Sequence, residues 1–92
     1  MAIVTRLVLD VLKPHQPNAL EFASQVADLG DSYQVHLVVQ EVDNKTQSII
    51  LSISGERLDF EAITQHIEAM GGSVHSIDEV DVVGERPPAS VD

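Results

Sequence analysis

The side chains best suited to bind a ligand lie in one ten-residue segment late in the chain. Between Gly71 and Val80 the sequence reads GGSVHSIDEV, so a glycine pair is followed by His75 and then by the adjacent carboxylates Asp78 and Glu79. Aspartate and glutamate are uncommon in β-strands. An imidazole near carboxylates supplies the nitrogen and oxygen ligands that zinc and other transition metals accept. The segment therefore indicates a binding site, without identifying its ligand.

Alternating and helical hydrophobic patterns predict the elements that position this segment. Predicted strands cover residues 3–12, 33–42, 48–54 and 73–83, and predicted helices cover 18–29 and 60–70. Helix breaks are expected at Gly30, as a left-handed stop, and at Gly71. The order β-α-β-β-α-β is typical of a ferredoxin-like α+β sandwich. We expect a four-stranded antiparallel sheet in the order 4-1-3-2, with both helices on one face.

The predicted topology brings distant residues to one corner of the sheet. Strand four runs antiparallel beside strand one, so Asp10 is expected near His75, with His15 in the adjoining loop. These three residues are the candidate ligand-binding set. Asp78 and Glu79 lie further along strand four and are expected on opposite faces. A divalent cation such as Ca²⁺, Mg²⁺ or Zn²⁺ is the expected ligand, and its candidate ligands are Asp10, His75, Asp78 and Glu79.

Each of these features has a structural alternative. Asp10 and His75 would also fit structural hydrogen bonds or a subunit contact, and the acidic run from Asp78 to Asp81 would also protect a sheet edge. A general acid–base pair is a further alternative. However, no serine lies in a nucleophile elbow, and the glycine pair follows a helix instead of preceding one as in a phosphate loop. We therefore expect a protein that is not an enzyme.

Length and charge limit the class of protein. The 92 residues predict one domain over residues 1–83 and a flexible acidic tail over residues 84–92. Fifteen Asp and Glu against five Lys and Arg give a net charge of −10. A negative charge of this size disfavours binding to nucleic acid or to an anionic membrane. The chain has no cysteine, which removes thiolate chemistry. These features, with a first segment that reads as a strand and not a signal peptide, favour a cytoplasmic protein.

The second face of the predicted sheet carries no helix. Its apolar and polar residues are mixed, and a half-apolar face of this kind is usually covered by another subunit. We therefore expect a homo-oligomer, with a basic protein as an alternative partner for the acidic surface. The expected members of this face are Val4, Val8, Leu12 and Ile50, mixed with Arg6, Asp10, Ser52 and Ser54.

Three motifs in a fixed order resemble the domain-of-unknown-function 211 family. They are LDVLKPH at 9–15, LDF at 58–60 and GGSVHSIDEV at 71–80, and the resemblance covers about residues 2 to 82. It implies a ferredoxin-like fold, a closed ring of identical subunits and a binding or regulatory role without an established activity. The positions at which it implies binding are Asp10, His15, His75, Asp78 and Glu79.

Together these expectations describe a non-enzymatic cytoplasmic ring that binds a divalent cation or a small ligand between its subunits, in a regulatory role. Two alternatives stay open at this point. One is a scaffolding ring whose acidic surface docks a basic protein. The other is an enzyme whose site lies between subunits.

Overall fold

A computed structural model describes residues 2–84. Its four strands form one antiparallel sheet in the order β2-β3-β1-β4, which is the predicted 4-1-3-2 order read from the other edge. The ferredoxin-like α+β fold is therefore confirmed. The predicted tail lies outside the described residues, apart from Gly84. The elements are β1 Ala2–Pro14, α1 Ala19–Ala27, β2 Gln34–Val42, β3 Thr46–Ser54, α2 Phe60–Ala69 and β4 Ser73–Gly84.

One hydrophobic core lies between the sheet and the two helices. Alternate residues of the central strands β1 and β3 face the helices, as period-two burial requires. Each fully buried aliphatic or aromatic side chain stabilises the fold by about 1.5–3 kcal/mol. Neither helix is long and apolar enough to cross a bilayer. The core residues are Leu7, Leu9 and Val11 of β1, Ile49, Leu51 and Ile53 of β3, Phe22 and Val26 of α1, Ile63 and Ile67 of α2, and Leu58.

Local sequence signals explain where α2 begins and ends. The Asp59 carboxylate accepts a hydrogen bond of 3.1 Å from the Ala62 backbone N–H, which satisfies a donor that the first turn leaves free. At the other end Gly71 adopts φ +90°, a conformation that glycine reaches without steric cost. Its N–H donates to the Glu68 carbonyl at 2.9 Å. The glycine pair therefore ends α2, as predicted, and leads the chain directly into β4.

Two details of the prediction are wrong. Gly30 does not adopt a positive φ; instead, the Tyr33 ring lies against its Cα and leaves no room for a side chain. Val4 packs against the core and not on the open face, because a register shift between Val4 and Arg6 reverses the alternation of β1.

The first strand is also longer than predicted, and its extension contains a buried lysine. Lys13 pairs with Gln47 and Pro14 with Thr46 before β1 ends. Lys13 follows Val11 on the core side and has no exposed surface. Its Nζ donates to the Pro14 carbonyl at 2.8 Å and to the Gln47 Oε1 at 3.0 Å, with a longer contact of 3.4 Å to the carbonyl of His15. It also lies 5.8 Å from the centre of the Phe22 ring.

The two outermost positions of the described chain meet. In the pairing of β1 with β4, Ala2 lies opposite Gly84 and Leu12 lies opposite Ser73. The pairing of β1 with β3 covers only Arg6 to Pro14. The first residues of β1 therefore extend beyond β3 together with the end of β4.

Candidate binding site on the open face

The side of the sheet opposite the helices, the open face, presents cross-strand rows of side chains. Leu7, Leu9 and Val11 point toward the helices, so the residues between them point away. The register gives the members of each row, because directly paired residues share a face. From one end to the other, the β1–β3 pairs on the open face are Arg6 with Ser54, Val8 with Ser52, Asp10 with Ile50, and Leu12 with Ser48.

One depression on this face holds Asp10 and His75 together. It has a volume of about 340 Å³, and its lining also includes Leu12, Ser48 and Ser73. We refer to it as the Asp10–His75 depression. A register shift in the β1–β4 pairing places Asp10 opposite Ser76 and Val11 opposite Val74, so His75 has no residue opposite it. A bulge of this kind redirects a side chain, and here the imidazole lines the depression.

The polar side chains of this depression are not used by the fold. Within residues 2–84, neither the Asp10 carboxylate nor the His75 imidazole makes a hydrogen bond or an ion pair, and the two do not bond to one another. The Ser48 and Ser73 hydroxyls likewise have no partner in that part of the chain. A structural hydrogen bond between Asp10 and His75, the simplest alternative to ligand binding, is therefore absent from the described residues.

His15, which was expected beside Asp10 and His75, lies elsewhere. Its Nε2 is 2.8 Å from the Asp43 carbonyl and 3.1 Å from the Asn44 carbonyl. Both neighbours are acceptors, so Nε2 carries the proton and donates it. The imidazole thereby joins the β1–α1 loop to the β2–β3 turn. It does not line the Asp10–His75 depression.

Asp78 and Glu79 also lie outside the depression, and they make separate contacts. The Ser76 hydroxyl donates to Asp78 Oδ1 at 2.7 Å. Arg6 Nη1 donates to Glu79 Oε1 at 2.8 Å and lies 3.9 Å from Asp81 Oδ1. The hydrogen bond with Glu79, supported by the charges of both carboxylates, raises the pKa of Arg6. Among residues 2–84 no group of three or more His, Asp or Glu side chains is placed to hold a metal ion.

A second depression on the open face was not predicted. Its volume is about 240 Å³, and its polar lining comes from Arg6, Gln34, His36, Ser52 and Ser54. We refer to it as the Arg6–His36 depression. The sequence did contain a signal: Gln34 and His36 alternate with apolar residues in the second strand, and Ser52 and Ser54 do so in the third. The register of three strands was needed to show that these polar side chains lie beside Arg6.

Comparison with known proteins agrees with the resemblance seen in the motifs. A sequence profile of the family DUF211, described as uncharacterized ArCR, matches residues 5–87. The chain is also similar to the uncharacterized protein MJ0319 of Methanocaldococcus jannaschii. The two are 41% identical over 83 residues, which cover 90% of this chain and 84% of the relative. The profile covers the described sheet except for residues 2–4 of β1, and it includes the lining residues of both depressions. The chain belongs to the DUF211 family.

Proposed function

We propose that this protein is a non-enzymatic homo-oligomer that binds a divalent cation in the Asp10–His75 depression, with further ligands supplied by a neighbouring copy. The observation that carries the proposal is the convergence of Asp10 and His75 on one depression, where neither side chain has another partner within residues 2–84. Carboxylate oxygen with imidazole nitrogen suits zinc, manganese or another transition metal better than calcium or magnesium. The cation would link the ligand state to assembly, which is a regulatory role.

The number of ligands supports the participation of a second copy. A structural zinc site usually has four protein ligands, and a catalytic one usually has three. The described part of one chain brings only Asp10 and His75 together. A tightly bound cation therefore needs side chains from another subunit in addition to water.

Exposed apolar side chains support self-association on the same face. Leu12, in the wall of the depression, is 43% exposed. Val38 of β2, which is separated from β1 by β3, is 44% exposed. Ile77 and Val80 of the edge strand β4 are exposed as well, but they lie opposite Leu9 and Leu7 and therefore belong to the helix side of the sheet. Exposed apolar side chains on an uncovered sheet face are typical of interfaces. The net charge of −10 opposes association of identical chains, and a bound cation would reduce that repulsion.

Calorimetric titration of chelator-treated protein with Zn²⁺, Mn²⁺, Ca²⁺ and Mg²⁺ tests the proposal. We expect saturable heat with Zn²⁺ or Mn²⁺, and its loss in His75→Ala and Asp10→Asn. His36→Ala is the matched control, because His36 is an exposed histidine of the same face that lies outside this depression. Equal heats in His75→Ala and in the unmodified protein would refute the site.

Sedimentation velocity tests the assembly separately. We expect Zn²⁺ or Mn²⁺ to shift the protein toward a larger species, to a greater extent than NaCl at the same ionic strength. Leu12→Glu should weaken this shift, because it adds a charge to the proposed contact. A protein that remains monomeric under every condition would refute the proposed oligomer. Cation binding would still be decided by the calorimetric titration.

The acidic edge strand favours a second candidate function, a scaffold that docks a basic protein. Asp78, Glu79 and Asp81 are all exposed on β4, and an edge strand can accept another chain. This candidate predicts a partner that co-purifies at low salt and dissociates at high salt. Replacement of Asp78 by Asn should weaken that association and leave the calorimetric heats unchanged.

A further inference from the structure

We propose that the Arg6–His36 depression binds a small anion through a carboxylate or phosphate group. This site is separate from the Asp10–His75 depression and does not depend on the cation proposed there. The two lie on the same face, but no residue of the described part of the chain lines both of them.

The lining chemistry selects the class of ligand. The chain is rich in Asp and Glu, yet none of those within residues 2–84 lines the Arg6–His36 depression. The polar groups that do line it are a guanidinium, an imidazole, an amide and two hydroxyls, all of which can donate hydrogen bonds. Carboxylate and phosphate oxygens accept such bonds, and the planar guanidinium matches both groups in a bidentate manner.

The guanidinium of Arg6 is held by only one of its nitrogens. Nη1 contacts Glu79 and Asp81 of β4, at 2.8 and 3.9 Å. Neither Nε nor Nη2 has an acceptor among residues 2–84. The carboxylates of β4 therefore anchor the group from one side, and its other N–H donors are unpaired where Arg6 lines the depression.

The remaining donors occupy neighbouring positions of the sheet. Ser54 lies between Arg6 and Gln34 in one row, and Ser52 pairs with His36 in the next. Adjacent strands are about 4.8 Å apart, and successive residues on one face of a strand are about 7 Å apart. The four polar side chains from β2 and β3 have no hydrogen-bond partner among residues 2–84. Together with Arg6 they line a single depression.

Net charge does not supply the attraction in this site. Glu79 and Asp81 offset the charge of Arg6, and the chain as a whole is strongly acidic. Affinity must therefore come from directed hydrogen bonds, which act at short range. For this reason the decisive variant keeps the positive charge and removes the guanidinium geometry.

Amide chemical shifts in ¹H–¹⁵N spectra test the site in the intact protein, from which metal ions and then the chelator have been removed by dialysis. Sodium phosphate and sodium acetate are titrated separately, each against sodium chloride at equal ionic strength. We expect saturable shifts at the amides of His36, Ser52 and Ser54 with phosphate, acetate or both, and the comparison identifies the preferred group. Arg6→Lys should weaken binding by about tenfold or more, which corresponds to the loss of one charge-assisted hydrogen bond.

Two further variants keep the test decisive. The double variant Ser52→Ala with Ser54→Ala removes two hydroxyls without touching the ion pair of Arg6, and it should also weaken binding. Ser48→Ala, at the other depression, should bind as the unmodified protein does. Shifts that fail to saturate, or that are equal in all variants, would overturn the proposal. Loss of binding in Ser48→Ala together with the others would also overturn it, because the effect would then be unrelated to this depression.

Discussion

Replacing Lys13 with methionine tests how a buried ammonium stabilises this fold. Methionine retains most of the side-chain volume but removes the charge and every donor. The two shorter bonds of Nζ, at 2.8 Å to Pro14 and 3.0 Å to Gln47, are together worth about 3–6 kcal/mol as bonds of a charged group. Burial disfavours the charged form of Lys13, so relief of the desolvation penalty offsets this gain. We still expect a net loss of about 1–3 kcal/mol in the free energy of unfolding at pH 7, because methionine leaves the Pro14 carbonyl and the Gln47 Oε1 without this donor.

The pH dependence gives a sharper form of the same test. Burial lowers the pKa of Lys13 below its ordinary value of 10.5. Between the folded-state pKa and 10.5 the unfolded chain therefore binds more protons than the folded chain, and stability rises with pH. Below the folded-state pKa both the folded and the unfolded chain carry the proton, so the contribution of Lys13 to stability does not change with pH. The stability difference between the unmodified protein and Lys13→Met should therefore grow as the pH rises toward 10.5.

Urea denaturation followed by far-ultraviolet circular dichroism, at fixed protein concentration and several pH values, measures both quantities. Lys45→Met is the matched control, because Lys45 is an exposed lysine in the turn between β2 and β3. Lys45→Met should change the free energy of unfolding little. The difference in stability between it and the unmodified protein should not grow as the pH rises toward 10.5. A Lys13→Met protein that is more stable at pH 7 would refute the reasoning, and so would a difference that shrinks as the pH rises.

Two local substitutions test other features of the fold. Gly71→Ala should lower the free energy of unfolding by about 1–2 kcal/mol, because a side chain is strained at φ +90°. Thermal denaturation measures the loss, and Gly84→Ala is the control because a Cβ at that position meets no other atom of the described chain. Equal melting temperatures of the two variants would contradict the strain. His15→Phe should cost about 1 kcal/mol by removing the donor to Asp43 and Asn44. Hydrogen exchange should then accelerate in the β2–β3 turn, whereas unchanged protection there would show that the imidazole does not hold it.

Several elements were predictable because their signals are local. The alternation of Ile49, Leu51 and Ile53 identifies a half-buried strand from the sequence, and the stripe of Ile63 and Ile67 identifies a helix face. Strand order then follows from the right-handed crossover rule. That order also places Asp10 near His75, whose role in binding stays a prediction.

The features that sequence reasoning missed depend on distant partners. Lysine is normally a surface residue, and the burial of Lys13 requires acceptors from Gln47 and from its own loop. The position of Val4 depends on a register shift in β1, and no local pattern marks such a shift. His15 was expected near strand four because it is close to Asp10 in sequence, but its partners lie in the turn between β2 and β3.

The pairing of Ala2 with Gly84 has a consequence for the order in which the molecule folds. The β2–β3 hairpin is local, and β1 can join β3 once the first half of the chain has emerged. The β1–β4 ladder joins positions separated by nearly the whole described chain, so its loop-closure entropy is the largest in the sheet. Contacts of such long sequence separation slow folding. Until β4 docks, the backbone edge of β1 is open and Asp10 lacks His75, so we expect the Asp10–His75 depression to be complete only after β4 has joined the sheet.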